Sequence, residues 1–360
     1  MIKVPTAIPE AGSLRGRGTS TNPANRFEEI HYEPDPFEES SESPAAATRF
    51  FKDPSRSILS FNDSPDIPFE VSVNPYRGCE HGCIYCYARP THEYLGFSAG
   101  LDFESRILVK EDAPELLRKE LSKKSWRPTV IAMSGVTDCY QPIERKLCIT
   151  RRCLEVLAEF RNPVGVITKS GLVTRDIDLF QSLARSKAVE VTLSITSLDD
   201  SLAGVLEPRA ARPRRRLEVV QEIARAGIPA TVMLAPIIPG LNDHEIPALL
   251  EASREAGALG AGWQMLRLPH GVGPLFEQWL GAHFPDRKDK VLNRIREMRG
   301  GRLNDSRFGE RMRGEGVFAE QIEKLFRLHA RRLGLLHPRL RLSTAAFRLP
   351  GLRQGLLFRD

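Results

Sequence analysis

The stretch Asn74-Pro75-Tyr76-Arg77-Gly78-Cys79-Glu80-His81-Gly82-Cys83-Ile84-Tyr85-Cys86-Tyr87 places three cysteines at C-x3-C-x2-C spacing. Three thiolates on one short loop can each take an iron of a cubane cluster. No fourth cysteine lies nearby, so one iron would keep an open position for something other than protein. A tetrahedral Cys3His zinc site, completed by His81 or His92, is the competing reading of the same residues. The chain has 360 residues and six cysteines. Three of the six crowd into this loop, which does not look like a disulfide framework and suits metal or redox chemistry in a reducing compartment.

Outward from the loop, the pattern is strand, loop, helix, repeated. Phe69–Val73 alternates and reads as a strand leading directly into the cysteines. Asp112 reads as an N-cap, with Pro114 in the first turn and Glu115 completing a capping box, for a helix to about Lys123. Strands follow at 129–133, 164–168, 189–195, 230–234 and 262–268. Helices lie between them at 143–160, 175–186, 214–226 and 246–256, the first with Ile143, Leu147, Leu154 and Leu157 on one face. Gly227, followed by Pro229, reads as a left-handed helix terminator. Six strands mostly followed by helices imply a parallel sheet with right-handed crossovers. An open doubly wound sheet and a partial barrel both fit this alternation. Beyond Pro269 it stops, and helices are expected at 287–299 and 317–333.

Residues 1–65 are rich in proline and in acidic and small residues, with little apolar periodicity, and most of the segment is expected to be disordered or draped over the body, with order from about Phe50 onward. Ile58, Leu59 and Phe61 are the exceptions that could pack. Residues 66–275 form the expected barrel unit, 276–340 a basic helical extension and 341–360 a tail. The formal net charge is +6. From Arg287 to Asp360 there are 19 Lys and Arg against 8 Asp and Glu, whereas residues 1–286 carry 33 against 38. A basic C-terminal part on a near-neutral body suggests an anionic partner, nucleic acid or nucleotide, or a solvated basic surface. No stretch approaches the length of an apolar membrane span, and Met1–Arg15 lacks the pattern of a secretory signal. The expectation is a cytoplasmic protein with no membrane partner.

The C-x3-C-x-aromatic-C pattern, with Tyr85 as the aromatic, resembles the signature of the radical S-adenosylmethionine (SAM) superfamily. That resemblance implies an α/β fold, a partial (β/α)6 barrel with the cluster loop after the first strand. It also implies a [4Fe-4S] cluster on Cys79, Cys83 and Cys86, with SAM bound to the open iron. Reductive cleavage of SAM would then yield a 5′-deoxyadenosyl radical that abstracts a substrate hydrogen. The electron would come from a reductant such as flavodoxin or ferredoxin.

Polar residues recur where later strands end, as parallel barrels place their chemistry. Ser134, Gly135 and Asp138 follow the second strand, where the family carries a turn facing the SAM amino group. Lys169 follows the third and would pair with the SAM carboxylate. Ser194 and Thr196, and further on Arg209 after Glu207-Pro208, are candidates for carboxylate or ribose contacts. Residues 235–243 would back the adenine.

The Thr-Lys-Ser at 168–170, Thr137-Asp138 and the strings 64–69, 74–79 and 88–92 look closest to a spore photoproduct lyase-related group of uncharacterised radical SAM proteins, over about residues 60–335. That points to a lyase-like, DNA-repair-like activity. One departure stands out: the lyases carry a hydrogen-donor cysteine just before the strand-two aspartate, and here Gly135-Val136-Thr137 occupies that stretch. The nearest thiol, Cys139, is the candidate catalytic donor, with a buried packing role as its alternative. Cys148 and Cys153 read as packing residues. The polar, Gly-rich segment 305–316 reads as a substrate lid or a surface linker. Gln354-Gly355-Leu356-Leu357-Phe358 resembles peptides that dock on bacterial sliding clamps. Two rival functions stand beside the nucleic-acid enzyme: a radical SAM enzyme acting on a protein or small metabolite, and a non-catalytic, metal-dependent nucleic-acid-binding adaptor.

Overall fold

A computed structural model describes residues 14–27, 47–336 and 341–350. Six parallel strands form the wall: β1 (Val71–Val73), β2 (Ile131–Met133), β3 (Val164–Thr168), β4 (Val189–Ser194), β5 (Ala230–Ile237) and β6 (Gly260–Met265). They pair in strict chain order, each parallel to the next, and Leu59–Phe61 adds one antiparallel strand outside β1. A doubly wound sheet reverses its strand order at a switch point. Sequential order with right-handed crossovers instead keeps the helices on one face and curls the sheet into a partial barrel. The two architectures left open by the sequence are thereby separated.

The wall is built from Val, Ile and Leu that alternate inward and outward. Val164, Val166, Val189, Val191, Leu193, Ala230 and Val232 are all fully buried in one core. The outer layer comprises α1 (Ala113–Leu121), α2 (Ile149–Phe160), α3 (Ile177–Ala184), α4 (Pro213–Arg225) and α5 (Ile246–Glu255). Asp112 makes no capping bond; its carboxylate lies 3.7 Å from Lys52 instead. The helix expected over 143–160 is broken, because Cys148 adopts a left-handed conformation (φ +53°) between Glu144–Leu147 and α2. Gly227 takes φ +74°, as a helix terminator should.

Three further helices follow: α6 (Val272–His283), α7 (Pro285–Glu297) and α8 (Gly316–Arg332). The sequence reading missed α6, although Leu275, Phe276, Trp279 and Leu280 bury one stripe of it. This stripe packs in a second core with Cys83, Ile84 and Tyr85, so α6 covers the cysteine loop. Ile322 and Phe326 of α8 pack into the main core.

Two parts of the N-terminal region are described, one draped over the body and one in the stretch from about Phe50 onward. Residues 14–27 form a strap over the cysteine loop. Asn25 Nδ2 donates to the carbonyls of Glu93 and Phe97 at 2.9 and 3.1 Å, and Gly18 N donates to Glu104 Oε2 at 2.9 Å. Residues 47–65 supply two strands, with Ile58 and Leu59 buried and Phe61 exposed. The strap is ordered by hydrogen bonds rather than by apolar burial, which hydropathy does not register. Residues 1–13 and 28–46 lie outside the described residues. No helix among the described residues is long and apolar enough to cross a membrane.

Candidate functional site

The cysteine loop leaves the C-terminal end of β1 and is shaped by glycines and one buried arginine. Gly78 and Gly82 take φ +80° and +68°. A Cβ on Gly82 would stand 2.6 Å from Glu104 Oε2, so a larger residue has neither the conformation nor the room. Arg89 has no solvent exposure and reaches back into the loop. Its Nε donates to Cys83 O at 3.0 Å, Nη1 to Gly100 O at 2.9 Å, and Nη2 pairs with Glu104. Cys79 N donates to Phe103 O at 2.9 Å, and Cys86 N to Cys83 O at 3.2 Å.

All six cysteines are free. Cys79 and Cys83 are buried and Cys86 half-buried. Burial pushes all three thiols up, Cys83 and Cys86 further raise Cys79, and Cys86 raises Cys83, so the thiols stand within electrostatic reach of one another. Such a trio of soft donors on one glycine-shaped loop fits the cysteine ligation of a cubane, in which each sulfur meets its own iron. A tetrahedral zinc site is poorly served. His81 Nδ1 faces Asp138 Oδ2 at 3.3 Å, and His92 Nε2 is bonded to Arg106 O at 2.8 Å. Among the described residues, no group of three or more His, Cys, Asp and Glu side chains is arranged to hold a single metal ion.

Four of the sequence candidates meet beside the loop. Lys169, just past β3, donates from Nζ to Ser194 Oγ at 2.6 Å and Ala235 O at 3.1 Å. It also lies 3.5 Å from Thr196 Oγ1 and 5.7 Å over the Tyr85 ring. Glu207, quoted in the sequence but not assigned, is the hub of this group. It accepts from Tyr85 OH and Thr196 Oγ1, stands 3.3 Å from Lys169 and pairs with Arg216. Burial alone would raise the Glu207 carboxyl, but Arg216 and then Lys169 outweigh it and hold it far below the carboxylate range. Arg216 sits on the first turn after Pro213, a place that carries no motif in the sequence.

The other candidates are placed differently. Asp138 does not face an open site with free oxygens. It accepts from Thr168 Oγ1 at 2.7 Å, Lys169 N at 2.8 Å and Tyr140 N at 2.9 Å, besides facing His81. Burial works to raise its carboxyl, yet His81 and these donors hold it low. Asp138 thus ties the cysteine loop to the ends of β2 and β3. Ser134, at φ +85°, closes its own turn by donating to Thr137 O at 2.5 Å. Gly135 O accepts from Tyr87 OH at 2.7 Å. Arg209 stands apart from the Lys169 group, with Nη1 3.3 Å from Glu80 Oε1 and its amide on His81 O.

Cys139 lies where its packing alternative would put it rather than at the open rim. It has no solvent exposure and lies in the main core, and burial pushes its thiol well up. It follows the Ser134 turn into α2, and Thr150 Oγ1 donates to its carbonyl at 2.7 Å. Cys153 is likewise buried, and Cys148 rests against Arg175 at 3.5 Å. The segment 305–316 docks along β6: Met265 N donates to Met312 O at 2.9 Å, Arg299 Nη1 to Glu310 O at 2.9 Å, and Gly309 N to Asp66 Oδ1 at 2.7 Å. The clamp-like string at 354–358 lies outside the described residues.

A loop of three thiols at the head of a six-stranded partial barrel defines a class, and the chain belongs to the radical SAM superfamily, whose family model matches residues 73–252. Members are enzymes that use a [4Fe-4S] cluster and SAM and need an electron donor. The chain is 36% identical over 234 residues to an uncharacterised protein of Mycobacterium tuberculosis, covering 64% of this chain and 68% of that protein. It is 33% identical over 173 residues to an uncharacterised protein of Methanocaldococcus jannaschii, covering 48% and 62%. Its fold matches that of a spore photoproduct lyase, solved as a cysteine-to-serine mutant, with a TM-score of 0.58 and 18% identity over 79% of each chain.

Proposed function

We propose that Cys79, Cys83 and Cys86 hold the [4Fe-4S] cluster and that Lys169, Ser194, Thr196 and Tyr85 bind SAM beside it. The observation that carries this reading is the convergence of Lys169 and its hydroxyl partners on the rim next to the three thiols. The bound cluster and SAM supply reductive sulfonium cleavage and a hydrogen-abstracting radical. The chain's own residues bind and orient. The Lys169 ammonium suits a carboxylate, the hydroxyls of Ser194 and Thr196 suit a carboxylate or a ribose, and α6 and the strap cover the loop from solvent.

The proposed substrate is nucleic acid or nucleotide, and the proposed activity lyase- or repair-like. Support comes from the basic C-terminal part, with 19 cationic against 8 acidic residues from Arg287 onward, and from the fold shared with a lyase solved with a dinucleoside spore photoproduct. Because Cys139 lies in the core, the proposed hydrogen-returning step does not draw on it. A flavodoxin or ferredoxin is the proposed electron donor.

Anaerobic reconstitution with iron and sulfide, followed by SAM and dithionite, tests the chemistry. 5′-Deoxyadenosine should form, and should vanish in Cys83→Ala. Its absence from the reconstituted wild type would refute the reading. Fluorescence anisotropy with labelled single-stranded DNA across a salt series tests the substrate class, since phosphate contacts predict steep loss of affinity with salt.

A further inference from the structure

Arg267 lies two residues beyond the end of β6, on the barrel rim that carries the cysteine loop. Its guanidinium sits 5.4 Å over the ring of Tyr87, the residue that follows Cys86. Nη1 reaches only the thioether of Met312 at 3.8 Å, and Nε is buried without a hydrogen-bond partner. Asp66, the carboxylate whose field reaches Arg267, is already engaged by Arg311 at 2.5 Å and by Gly309 N at 2.7 Å. Arg299 lies within electrostatic reach as well, with both terminal nitrogens committed to the carbonyls of Glu310 and Leu266.

A half-buried guanidinium whose Nε is shut away from water with its hydrogen bond unmet is costly unless something completes it. Burial lowers the Arg267 pKa, with Arg311 adding to the shift, and arginine stays charged regardless. Arg267 thus lies in the fields of Arg299 and Arg311, whose neighbouring carboxylates are Asp66, Asp305 and Glu310, and the Nε edge of its own planar fork has no partner. The fork matches an oxyanion in two parallel hydrogen bonds.

We propose that Arg267 anchors an oxyanion subsite at the barrel rim and takes a backbone phosphate of the substrate, with the Tyr87 ring as its platform. The choice of phosphate over carboxylate rests on the nucleic-acid reading above; the existence of the subsite does not. Tyr87 OH is tied to Gly135 O across the rim. A phosphate held on Arg267 therefore sits beside the turn expected to face SAM.

The test is arginine modification by phenylglyoxal on the reconstituted holoprotein, mapped by mass spectrometry, with and without inorganic phosphate. The exposed Arg287 serves as the internal control. Phosphate should slow modification of Arg267 by roughly fivefold or more and leave Arg287 unchanged. A short oligothymidylate should protect at lower concentration than phosphate. Equal modification with and without phosphate overturns the subsite, and so does an Arg267 that resists the reagent throughout, because it is then closed to ligands. Protection by phosphate but not by oligothymidylate keeps the subsite and removes the nucleic-acid reading. As a second measurement, Arg267→Met should weaken oligothymidylate binding about tenfold and lower the salt slope by about one, with Arg267→Lys intermediate. Unchanged affinity and slope in Arg267→Met would overturn the phosphate contact.

Discussion

Replacing Arg216 by methionine strands Glu207, whose side chain has no solvent exposure; that of Arg216 is itself 1% exposed. Removing one partner of a buried pair costs about 3–5 kcal/mol, because the remaining charge is uncompensated. Arg216 also donates to Ser194 O at 2.8 Å and Ala211 O at 2.7 Å, and each lost bond adds about 1 kcal/mol. Lys169, at 3.3 Å from Glu207, offsets part of this. A net loss of about 4 kcal/mol is expected, which for a domain of this size lowers Tm by roughly 8–16 °C. Thermal unfolding of the reconstituted protein, followed anaerobically by circular dichroism, measures it. The pair Glu207→Met and Arg216→Met together should recover most of the loss, giving a coupling of about 3 kcal/mol in a double-mutant cycle. A Tm within about 2 °C of wild type for Arg216→Met, or simple additivity in the cycle, would refute the claim that this pair braces the Lys169 group.

Cys139→Ala should keep cluster absorbance and SAM cleavage while lowering stability by about 1–2 kcal/mol through a small core void; cluster loss would show that its place in the core is misread. Gly18→Ala should loosen the strap, since its Cβ would stand 1.9 Å from Gly82 O; faster bleaching of the cluster in air than in wild type is the expected readout. His92 is buried and its pKa is pushed down to about 4 from 6.5, chiefly by desolvation. The unfolded chain then binds more protons than the folded one in that window. His92 should therefore cost stability as pH falls from about 6.5 toward 4, by at most about 1.4 kcal/mol per pH unit. Denaturant titrations of His92→Gln should show a shallower dependence than wild type there, and parallel curves would count against the assignment.

The six strands and most helices were legible because each carries its own apolar period: β3 runs over Val164–Thr168 as read, and α4 and α5 differ by a residue or so at their ends. Alternation alone did not choose the barrel, since it is the same in an open sheet; the resemblance carried by the cysteine motif implied it, and the pairing order agrees. The three loop cysteines and Lys169 announce themselves by spacing and by position after a strand. Glu207 and Arg216 do not, because a buried pair 9 residues apart leaves no periodic trace. The places of Asp138 and Cys139 were not legible for one reason. Both follow a strand end, but the positive φ of Ser134 turns the chain so that one tethers the loop and the other enters the core. The strap's course was not legible because it rests on Asn25 and Gly18 reaching partners 68 and 86 residues away.

That distance has a consequence for biogenesis. The segment around Gly18 is synthesised early, yet its resting place does not exist until Glu104 has emerged and met Arg89. Throughout that interval the thiol-bearing turn lies open on this side, and the clasp can shut only afterwards. Iron delivery during or soon after translation would therefore meet the trio of sulfurs before the strap is in place, whereas in the folded chain the strap already lies over them.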